Sequence, residues 1–461
     1  SQADVGEYSS IVLDSNDDAH ISYFDASTKD LKYATDVSGQ WISYTIDSEG
    51  DVGYGSSIAI DSNDALHISY DDSTNGDLKY ATNVNGTWEI STIESQGNVG
   101  AYSSIGVNSY DKVHISYYDA TNGDLRYATN QYSNSQWSMA SVATSGNVGH
   151  HTSLVIDSDN TVHISYIDYD DEALHYAENT WGPSGWVTSV IDSGSSSIGS
   201  STSIAVDDSN KVHISYQDVT NNNLKYATDE SGSWMTATVD ALGDVGDTSS
   251  ITTDSEGVVH ISYFDDTNEN LKHATNYNST QTPPTWMIMT VDSSGAVGEY
   301  SSIAFDSEDR AHISYHDSTN SDLKYATSEG PQDGEGITDP ANATVWFDNE
   351  GYASYAPDEI SISFEIYTDC ECSLKAWAYL DVYLNGTKID TPFGTDYTVS
   401  DDSSVSKTVV WTAPNTGIYD FYLALFTGEQ APSTKVDDAW IQSISLTGSD
   451  WQTSTLDSNG D

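Results

Sequence analysis

The sequence predicts an all-β protein: a seven-bladed β-propeller with four-stranded blades and an immunoglobulin-like or jelly-roll β-sandwich inserted in the last blade. Three observations predict this fold. The hexapeptide His-Ile-Ser-Tyr-x-Asp occurs seven times at intervals of 47 to 52 residues. Four short β-rich segments, separated by Gly, Asn, Asp and Ser, surround each copy. The segment that the seventh copy lacks is found at the C-terminal end of the chain.

The repeated frame defines four strands in every unit. Each copy contains x-Val-Gly-x-x-Ser-Ser-Ile, the hexapeptide, Leu-Lys-Tyr-Ala-Thr and then a Trp, with variations. In the second copy we predict strands A (Ser57 to Asp61), B (Leu66 to Asp72), C (Asp77 to Thr82) and D (Trp88 to Ile93). Such units are typical of propeller blades. The alternative fold is a β-solenoid, which usually has shorter coils and capped ends. The hexapeptides begin at His20, His67, His114, His163, His213, His260 and His312.

The two ends of the chain favour a closed ring. A Trp follows each of the first six repeats but not the seventh, and the segment Trp451 to Asp461 matches Trp41 to Asp51. We therefore predict that residues 1–330 form the blades up to strand C of blade 7, that residues 331–450 are inserted, and that residues 451–461 supply the final strand. This strand either closes the ring in its own chain or completes a neighbouring copy, which would produce self-association.

The insertion carries the pattern of a small β-sandwich. Apolar and polar residues alternate in segments such as Glu359 to Tyr367 and Leu374 to Leu384. Cys370 and Cys372 are the two cysteines of the chain. In an extended strand their Cα atoms lie about 6.5 Å apart, near the outer limit for a disulfide. Both redox states therefore stay open.

The charge of the chain excludes several classes of partner. The 461 residues include 72 Asp plus Glu and 14 Lys plus Arg, for a net charge of -58. This charge argues against nucleic-acid binding, which needs cations to contact the phosphates. The sequence contains no apolar run of about 18 residues, so it does not predict a membrane-spanning segment. So much like charge repels itself in dilute buffer and is screened by salt. We therefore expect an extracellular or cell-surface location in a saline environment.

The turns between strands C and D resemble the Asp box of the BNR family of propellers. They read Asp36-Val-Ser-Gly39-Gln-Trp41, Asn83-Val-Asn-Gly86-Thr-Trp88 and Asp229-Glu-Ser-Gly232-Ser-Trp234. The family box has two steps from Asp to Gly and three to Trp, whereas this chain has three and two. The resemblance implies four-stranded blades in a secreted or cell-surface protein, and it extends to polysaccharide lyases that use His and Tyr. The resemblance does not imply a sialidase site. Sialidases of the family bind the substrate carboxylate with an arginine cluster, and this chain has only 14 Lys plus Arg.

Positions that recur in every blade are interpreted as fold, and departures from the repeat as candidate function. We expect the seven repeat histidines to hydrogen-bond between blades rather than to bind metal, and the tyrosines three residues later to pack between blades. The loops from D to A and from B to C are expected on one face, where an aromatic, hydrogen-bonding funnel would suit sugars. The alternative is a set of variable surface residues around a water-filled channel. The predicted funnel consists of Tyr8, Asp71, Tyr102, Tyr118, His151, Gln217, Tyr300 and His316.

An enzymatic version of this face needs an acid and a base within reach of one substrate. For a lyase, His150 or His151 would serve with Tyr102 or Tyr118. For a hydrolase, Asp71 would pair with Glu7 or Asp247. Every loop carries Asp, so the carboxylate pattern discriminates weakly.

The loops between strands B and C also suggest calcium. Four of the seven loops place two carboxylates five residues apart around residues such as Thr, Asn and Gly. Ca²⁺ prefers hard oxygen ligands at tight turns. The same residues also form ordinary turns without an ion. The predicted pairs are Asp25 with Asp30, Asp72 with Asp77, Asp119 with Asp124, and Asp317 with Asp322.

Taken together, the sequence predicts a binding or structural module rather than an enzyme. It would recognise glycans or neighbouring surface proteins and would self-assemble into a surface layer or filament if the final strand were donated in trans. The alternative function is a propeller-type polysaccharide lyase or glycoside hydrolase. No cofactor other than Ca²⁺ is suggested.

Overall fold

A computed structural model of the protein describes residues 4–37, 39–132, 136–179, 184–193, 197–277, 279 and 283–328, together with the backbone of the strands between Val345 and Asp457. The chain divides into two compact units, Ser1–Ser328 with Trp451–Asp461, and Glu329–Asp450. No helix long and apolar enough to cross a membrane occurs in the described part of the chain.

The first unit is a seven-bladed propeller, and each blade is a four-stranded antiparallel sheet in the order A-B-C-D. Blades 1 to 3 contain β1 (Val5–Leu13), β2 (Ala19–Asp25), β3 (Asp30–Thr35), β4 (Ile42–Asp47), β5 (Val52–Ile60), β6 (Leu66–Asp72), β7 (Asp77–Thr82), β8 (Glu89–Glu94), β9 (Val99–Val107), β10 (Val113–Asp119), β11 (Asp124–Thr129) and β12 (Ser138–Ala143). Blades 4 to 6 contain β13 (Val148–Ile156), β14 (Val162–Asp168), β15 (Ala173–Asn179), β16 (Val187–Asp192), β17 (Ile198–Val206), β18 (Val212–Asp218), β19 (Asn223–Thr228), β20 (Met235–Asp240), β21 (Val245–Thr253), β22 (Val259–Asp265), β23 (Asn270–Thr275) and β24 (Met287–Asp292).

Blade 7 combines β25 (Val297–Phe305), β26 (Ala311–Asp317) and β27 (Asp322–Ser328) with β35 (Trp451–Asp457). In β35, Asp457 lies opposite Leu323, as Asp47 lies opposite Leu31 in blade 1. The final strand is thus paired within its own chain, as in the predicted cis arrangement; donation to a neighbouring copy stays a prediction.

The second unit contains two sheets, with strand orders β28-β29-β32 and β31-β30-β33-β34. The predicted immunoglobulin-like or jelly-roll sandwich stays a prediction, and Cys370 and Cys372 lie outside the described residues. The strands are β28 (Val345–Trp346), β29 (Glu359–Tyr367), β30 (Leu374–Leu384), β31 (Thr387–Val399), β32 (Ser404–Thr412), β33 (Tyr419–Thr427) and β34 (Ile444–Ser445).

Strand A lines the axis of the propeller and strand D forms its outer edge. Backbone groups of one strand A bond to the serine of the preceding strand A, as Ile58 N–H does to Ser10 Oγ at 3.3 Å. Every residue of strand B is buried in all seven blades. By contrast, β4 exposes three of its six residues. Because strand B is covered on both sides, its polar residues need partners inside the propeller.

A belt of hydroxyl pairs joins strand B of each blade to strand A of the next. Each strand B serine is fully buried and lies 2.9 to 3.0 Å from its partner oxygen. The last pair joins blade 7 to blade 1 and so closes the ring. The seven pairs are Ser22–Ser56, Ser69–Ser103, Ser116–Thr152, Ser165–Thr202, Ser215–Ser249, Ser262–Ser301 and Ser314–Ser9.

A second contact between blades is charged. In blade 6 the Tyr263 hydroxyl and Lys272 Nζ each donate to Asp240 Oδ2, on strand D of blade 5, at 2.8 Å. The prediction that the repeat tyrosines lie between blades is therefore confirmed. The same three roles recur in Asp47 with Tyr70 and Lys79, Glu94 with Tyr117 and Arg126, Asp192 with Tyr216 and Lys225, and Asp292 with Tyr315 and Lys324.

The repeat histidines bond within their own blade, so the prediction that they bond between blades is wrong. His163 Nδ1 lies 2.6 Å from the Tyr176 hydroxyl on strand C, and Nε2 lies 3.2 Å from Asp157 in the turn from A to B. Strands B and C are neighbours in one sheet, so a partner on strand C of the same blade is closer to the histidine than a partner in the next blade. The strand C tyrosine instead contacts the next blade, where Tyr176 packs edge-on against Trp234 at 5.0 Å.

The Val-Gly pair of the repeat has a steric cause. Gly6 has φ +103°, and a Cβ there would lie 2.7 Å from the Leu323 Cα of the preceding blade. Gly53 meets Leu31 in the same way. Since both the backbone conformation and the close approach exclude a side chain, glycine is required where strand A begins.

We predict that Asp240→Ala lowers the free energy of unfolding by about 3 kcal/mol, because it leaves Lys272 and Tyr263 buried with a partner removed. Urea unfolding followed by tryptophan fluorescence measures the effect. Asp208→Ala, in an exposed turn, makes the same charge change and should cost less than about 0.5 kcal/mol. Equal effects of the two substitutions would contradict the role given to the charged contact.

Burial lowers the pKa of His114 to about 4, whereas a histidine in the unfolded chain titrates near 6.5. The unfolded state therefore binds more protons between these values, and the contribution of neutral His114 is complete above about pH 6.5 and is lost as the pH falls towards 4. We expect stability to fall over this window and His114→Gln to remove on the order of 3 kcal/mol of that fall. Urea unfolding at several pH values tests this; a constant difference between the two proteins would refute it.

Candidate functional site

The start of strand A is bulged in a way that breaks the regular ladder. In blade 1 the pairing with strand B shifts between Val5 and Glu7 and again between Glu7 and Ser10. The residue after Glu7, Tyr8, has φ +53°. This left-handed conformation is uncommon for a bulky residue, and strained backbone of this kind clusters at functional sites. The equivalent residues Gly55, Tyr102, His151, Thr248 and Tyr300 share it, with φ between +49° and +58°.

The bulges lie on the face where the loops from D to A and from B to C emerge, which we term the loop face. Three tyrosines from blades 7, 1 and 2 meet there. The Tyr8 ring lies 4.1 Å from the Tyr54 ring and 4.2 Å from the Tyr300 ring, centroid to centroid, and its hydroxyl bonds to that of Tyr54. All three are half-buried. Burial raises the pKa of Tyr300 to about 12, so the hydroxyl is neutral.

A second aromatic cluster comes from blades 3 and 4. The His151 ring lies 4.3 Å from Tyr102, and its Nε2 lies 3.0 Å from the Tyr169 hydroxyl. The His150 ring stacks on Tyr169 at 3.9 Å and lies 4.1 Å from Tyr118. Gly55 separates this cluster from the first, since a Cβ at Gly55 would lie 3.7 Å from the Tyr102 nitrogen. We refer to the two clusters together, Tyr8, Tyr54, Tyr300, Tyr102, Tyr118, His150, His151 and Tyr169, as the aromatic crescent.

The two histidines of the crescent are neutral at physiological pH. Burial lowers the pKa of both His150 and His151 to about 4. His150 Nε2 and the Tyr118 hydroxyl share the Asn147 side-chain oxygen, at 3.1 and 2.5 Å. The structure therefore does bring together the four residues named for a lyase. However, a catalytic base works best with a pKa near the operating pH, and these imidazoles are far below it.

Carboxylates border the crescent where blades 7 and 1 meet. His316 is buried, with Nε2 3.2 Å from Asp4 and Nδ1 3.6 Å from Glu299. Burial would lower the pKa of His316, but these two acids raise it above its ordinary value. Burial raises the pKa of the neighbouring Glu7. His316, predicted to line the funnel, is thus a buried residue that pairs with the carboxylates at the edge of the crescent.

Two other predicted funnel residues are buried side chains. Asp71 is 7% exposed, accepts a hydrogen bond from Ser73, and has its pKa raised to about 6 by burial. Gln217 is 6% exposed and bonds to the Val245 carbonyl oxygen at 3.5 Å. Of the eight predicted residues, the structure thus brings Tyr8, Tyr102, Tyr118, His151 and Tyr300 into the crescent. The His316 ring lies beside the crescent, 6.3 Å from the Tyr300 ring, whereas Asp71 and Gln217 are buried.

Calcium at the four predicted loops stays a prediction, and the structure shows that the first carboxylate of each pair already has partners within the fold. Asp72 Oδ1 and Oδ2 accept hydrogen bonds from the Asn75 backbone and amide groups at 3.0 and 2.9 Å, and Lys79 lies 3.9 Å from Oδ2. Asp119 and Asp317 have the same asparagine and cation. Asp25 accepts from two backbone N–H groups, and Lys32 lies 3.9 Å away. The second members Asp30, Asp77, Asp124 and Asp322 close the hairpins as register partners of the first.

Positive charge is scarce on the loop face. Among the described residues, strand C cations such as Lys79 and Lys272 are buried between blades, while Lys112, Lys211 and Arg310 precede strand B at the opposite face. Lys29 lies at the edge of the loop face and is paired with Asp51 at 2.5 Å. The crescent therefore has aromatic rings, hydroxyls and carboxylates but no free cation among the described residues.

A cleft of 260 Å³ opens elsewhere, on the opposite face between blades 4 and 5. Polar residues including Asp157, His163, Glu178 and Asp229 line it. His163 and Tyr176 already hydrogen-bond to each other there, at 2.6 Å, as their equivalents do in other blades. We favour the crescent as the site, because the cleft is made mainly of groups that every blade uses for its own fold.

Three crescent residues were absent from the predicted funnel: His150, which was named only for a lyase, and Tyr54 and Tyr169, which were named for no site. Tyr54 occupies the first position after Val-Gly, which varies between blades. The predicted funnel drew instead on the second position, the one occupied by Tyr8 and Tyr102. Tyr169 replaces the small residue Ser73 or Ala120 of other blades. An aromatic residue in place of a small one in a repeated loop was the signal that would have identified it.

Comparisons with known proteins show a likeness of fold without a family. No family model and no curated protein matches the chain, so the resemblance to the BNR family stays a prediction. At these identities and TM-scores, the similar solved structures carry no inference about ligand or activity. They include AofleA from Arthrobotrys oligospora (14% identity, 63% of this chain, 87% of that chain, TM-score 0.45), the polysaccharide lyase Uly1 (10%, 66%, 85%, 0.45) and Kuenenia stuttgartiensis hydrazine synthase (8%, 69%, 95%, 0.49).

Proposed function

We propose that this protein is a glycan-binding propeller and that the aromatic crescent is its binding site. The observation that carries the proposal is the convergence of tyrosine and histidine rings from five blades on one face, held by strained bulges. The rest of each blade follows the repeat closely, so these departures have no role in closing the ring. A half-buried ring with a polar tip suits a ligand that is apolar on one side and polar on the other.

The chemistry of the crescent selects among sugars. The C–H faces of pyranose rings stack on tyrosines such as Tyr8 and Tyr102, while hydroxyls bond to the phenols and to the bordering carboxylates. Asp4, Glu7 and Glu299 repel uronates and sialates, and no described cation on this face is free to bind them. We therefore propose neutral oligosaccharides as the ligand class.

The enzymatic alternative has weaker support. A lyase needs a base and a group that neutralises the substrate carboxylate, whereas the pKa of His150 and His151 is about 4 and the crescent lacks a free cation among the described residues. For a hydrolase, Asp71 has the raised pKa of a general acid, about 6, but it is 7% exposed. Binding without turnover fits the geometry better.

We further propose that the protein works outside the cell or at its surface, in a saline medium. The net charge of -58 supports this, because salt screens the repulsion between like charges. Assembly by donated strands is not part of the proposal, since β35 pairs with β27 in the same chain. Neighbouring surface proteins remain as the other class of partner, to be considered if no glycan binds.

We expect the protein to bind neutral oligosaccharides on a glycan array and to ignore sialylated and uronate-containing ones. Tyr8→Gly and Tyr102→Gly should each weaken binding on the order of tenfold through lost ring contacts. Both substitutions are compatible with the fold, because blade 2 has Gly55 at this position with φ +58°. Titration calorimetry with the sugars found on the array measures the change.

The control is Tyr110→Ala, which removes a tyrosine that is 70% exposed in the turn from A to B, at the opposite face. Its affinity should equal that of the wild type. Absence of glycan binding, or equal losses in all three variants, would refute the proposal. Release of reducing ends or unsaturated sugars from a bound oligosaccharide would favour the enzymatic alternative.

We predict that raising NaCl from about 0.05 M to about 1 M increases the melting temperature by several degrees, because screening shortens the range of repulsion between the acidic side chains. Differential scanning fluorimetry measures this, with sucrose as a non-ionic control for general solute effects. A melting temperature that is unchanged or lower in salt would remove the support for a saline setting.

A further inference from the structure

Blade 4 departs from the other blades in the loop between strands B and C. In the other blades with an asparagine in this loop, the buried Asp at the end of strand B receives an amide hydrogen bond at 2.8 to 3.0 Å. In four of these five blades a Lys or Arg also lies 3.3 to 3.9 Å from it. These groups neutralise a carboxylate that has little contact with water.

Each of these groups is replaced in blade 4. Asp168 occupies the position of the buried Asp and is 7% exposed. Asp171 stands where Asn75 stands in blade 2, and His175 stands where Lys79 stands. The acid on the preceding strand D, Asp47 in blade 1, is replaced by Ala143 before blade 4, as the register with Leu125 indicates. One amide donor has thus become a second carboxylate, and the permanent cation has become an imidazole.

The result is a largely buried aspartate whose second oxygen lacks the amide donor that its equivalents have in the other blades. Asp168 Oδ1 accepts the Asp170 N–H at 2.9 Å, but Oδ2 accepts no hydrogen bond from the described residues. It faces His175 Nε2 at 3.9 Å, and that nitrogen lies 3.2 to 3.3 Å from the carboxylate oxygens of Asp171. Two carboxylates and one imidazole nitrogen therefore converge, with one ligand atom of each within 4.8 Å of the others. Two carboxylates and an imidazole nitrogen at this spacing are a donor set that suits a transition-metal cation.

From this geometry we infer that Asp168, Asp171 and His175 form a binding site for a divalent transition-metal ion of the Zn²⁺ class. Bonds of about 2.1 Å in a tetrahedron place ligand atoms about 3.4 Å apart; His175 Nε2 lies 3.2 to 3.3 Å from the Asp171 oxygens and 3.9 Å from Asp168 Oδ2. The imidazole favours such an ion over Ca²⁺ or Mg²⁺, which prefer oxygen ligands. Asp171 has 48% of its side chain exposed, which gives the ion access and leaves space for water as a fourth ligand.

The site adjoins the aromatic crescent through one residue. Tyr169 lies between Asp168 and Asp171 in the loop, and its ring stacks on His150 while its hydroxyl contacts His151. A metal ion that bridges the two aspartates would fix the loop that carries Tyr169. The ion thereby takes over, in blade 4, the stabilising role of the lysine in the other blades, and it orders one end of the crescent.

The test is equilibrium dialysis of the full chain with Zn²⁺ in an excess of Ca²⁺ and Mg²⁺, which occupy weak sites on so acidic a surface. We expect one tight Zn²⁺ site per wild-type chain, and we expect its affinity to fall at least tenfold in Asp171→Asn and in His175→Lys. Both substitutions restore the residues of other blades, so we expect both variants to fold. Without metal their melting temperatures should equal or exceed that of the wild type.

Asp208→Asn, in the exposed turn at the opposite face, makes the same charge change as Asp171→Asn and should retain the tight site. Cys370 and Cys372 are present in all these proteins, so any zinc that they bind cancels in the comparison. Wild-type protein without a tight site, or variants at 171 and 175 that bind Zn²⁺ as the wild type does, would overturn the inference.

Discussion

The ring of buried hydroxyl pairs between strands B and A is the interaction on which the rest of the propeller depends. Each strand B serine is excluded from water, so its hydroxyl must find a partner, and that partner belongs to the next blade. A buried hydroxyl left alone costs about 1–3 kcal/mol, and an open ring would leave two groups unpaired. The hydroxyl pair that joins any two neighbouring blades therefore also favours closure of the ring. β35 completes blade 7, which makes the closing contact with blade 1.

This constraint separates positions that build the ring from positions that are free to vary. Strand B, the strand C tyrosine and the charged contact to the preceding strand D recur because each blade needs them to meet its neighbours. The bulge at the start of strand A lies beyond the last hydroxyl pair, where side chains face the axis or the solvent. Rings there converge without disturbing the belt, as Tyr8 and Tyr300 do on either side of the junction of blades 7 and 1. Function can therefore diverge among blades whose cores stay the same.

The seven copies of one hexapeptide were enough to predict the propeller and to place strands B and C of blade 2 at their observed bounds. Strand A starts at Val52, five residues earlier than predicted, because a bulge around Gly53 continues the strand through residues that resemble a turn. The hydrogen-bond partners of the repeat histidines were harder to predict. The sequence shows that each histidine lies on a buried strand, but not whether its partner belongs to the same blade or to the next. The carboxylate pairs at 72 and 77 resembled calcium ligands because the sequence does not reveal that Asn75 and Lys79 already satisfy the first of them.

The central claim is that repeated residues close the ring while departures from the repeat, gathered on the loop face, bind the ligand. Hydrogen–deuterium exchange of the full chain, with and without a saturating oligosaccharide, tests it directly. The account predicts slower exchange in the bulges around residues 7–8, 54–55, 101–102, 150–151 and 299–300 and in the loop that contains Tyr169, with the turns of the opposite face unchanged. Protection confined to the cleft between Asp157 and Asp229, or to residues 329–450, would contradict it.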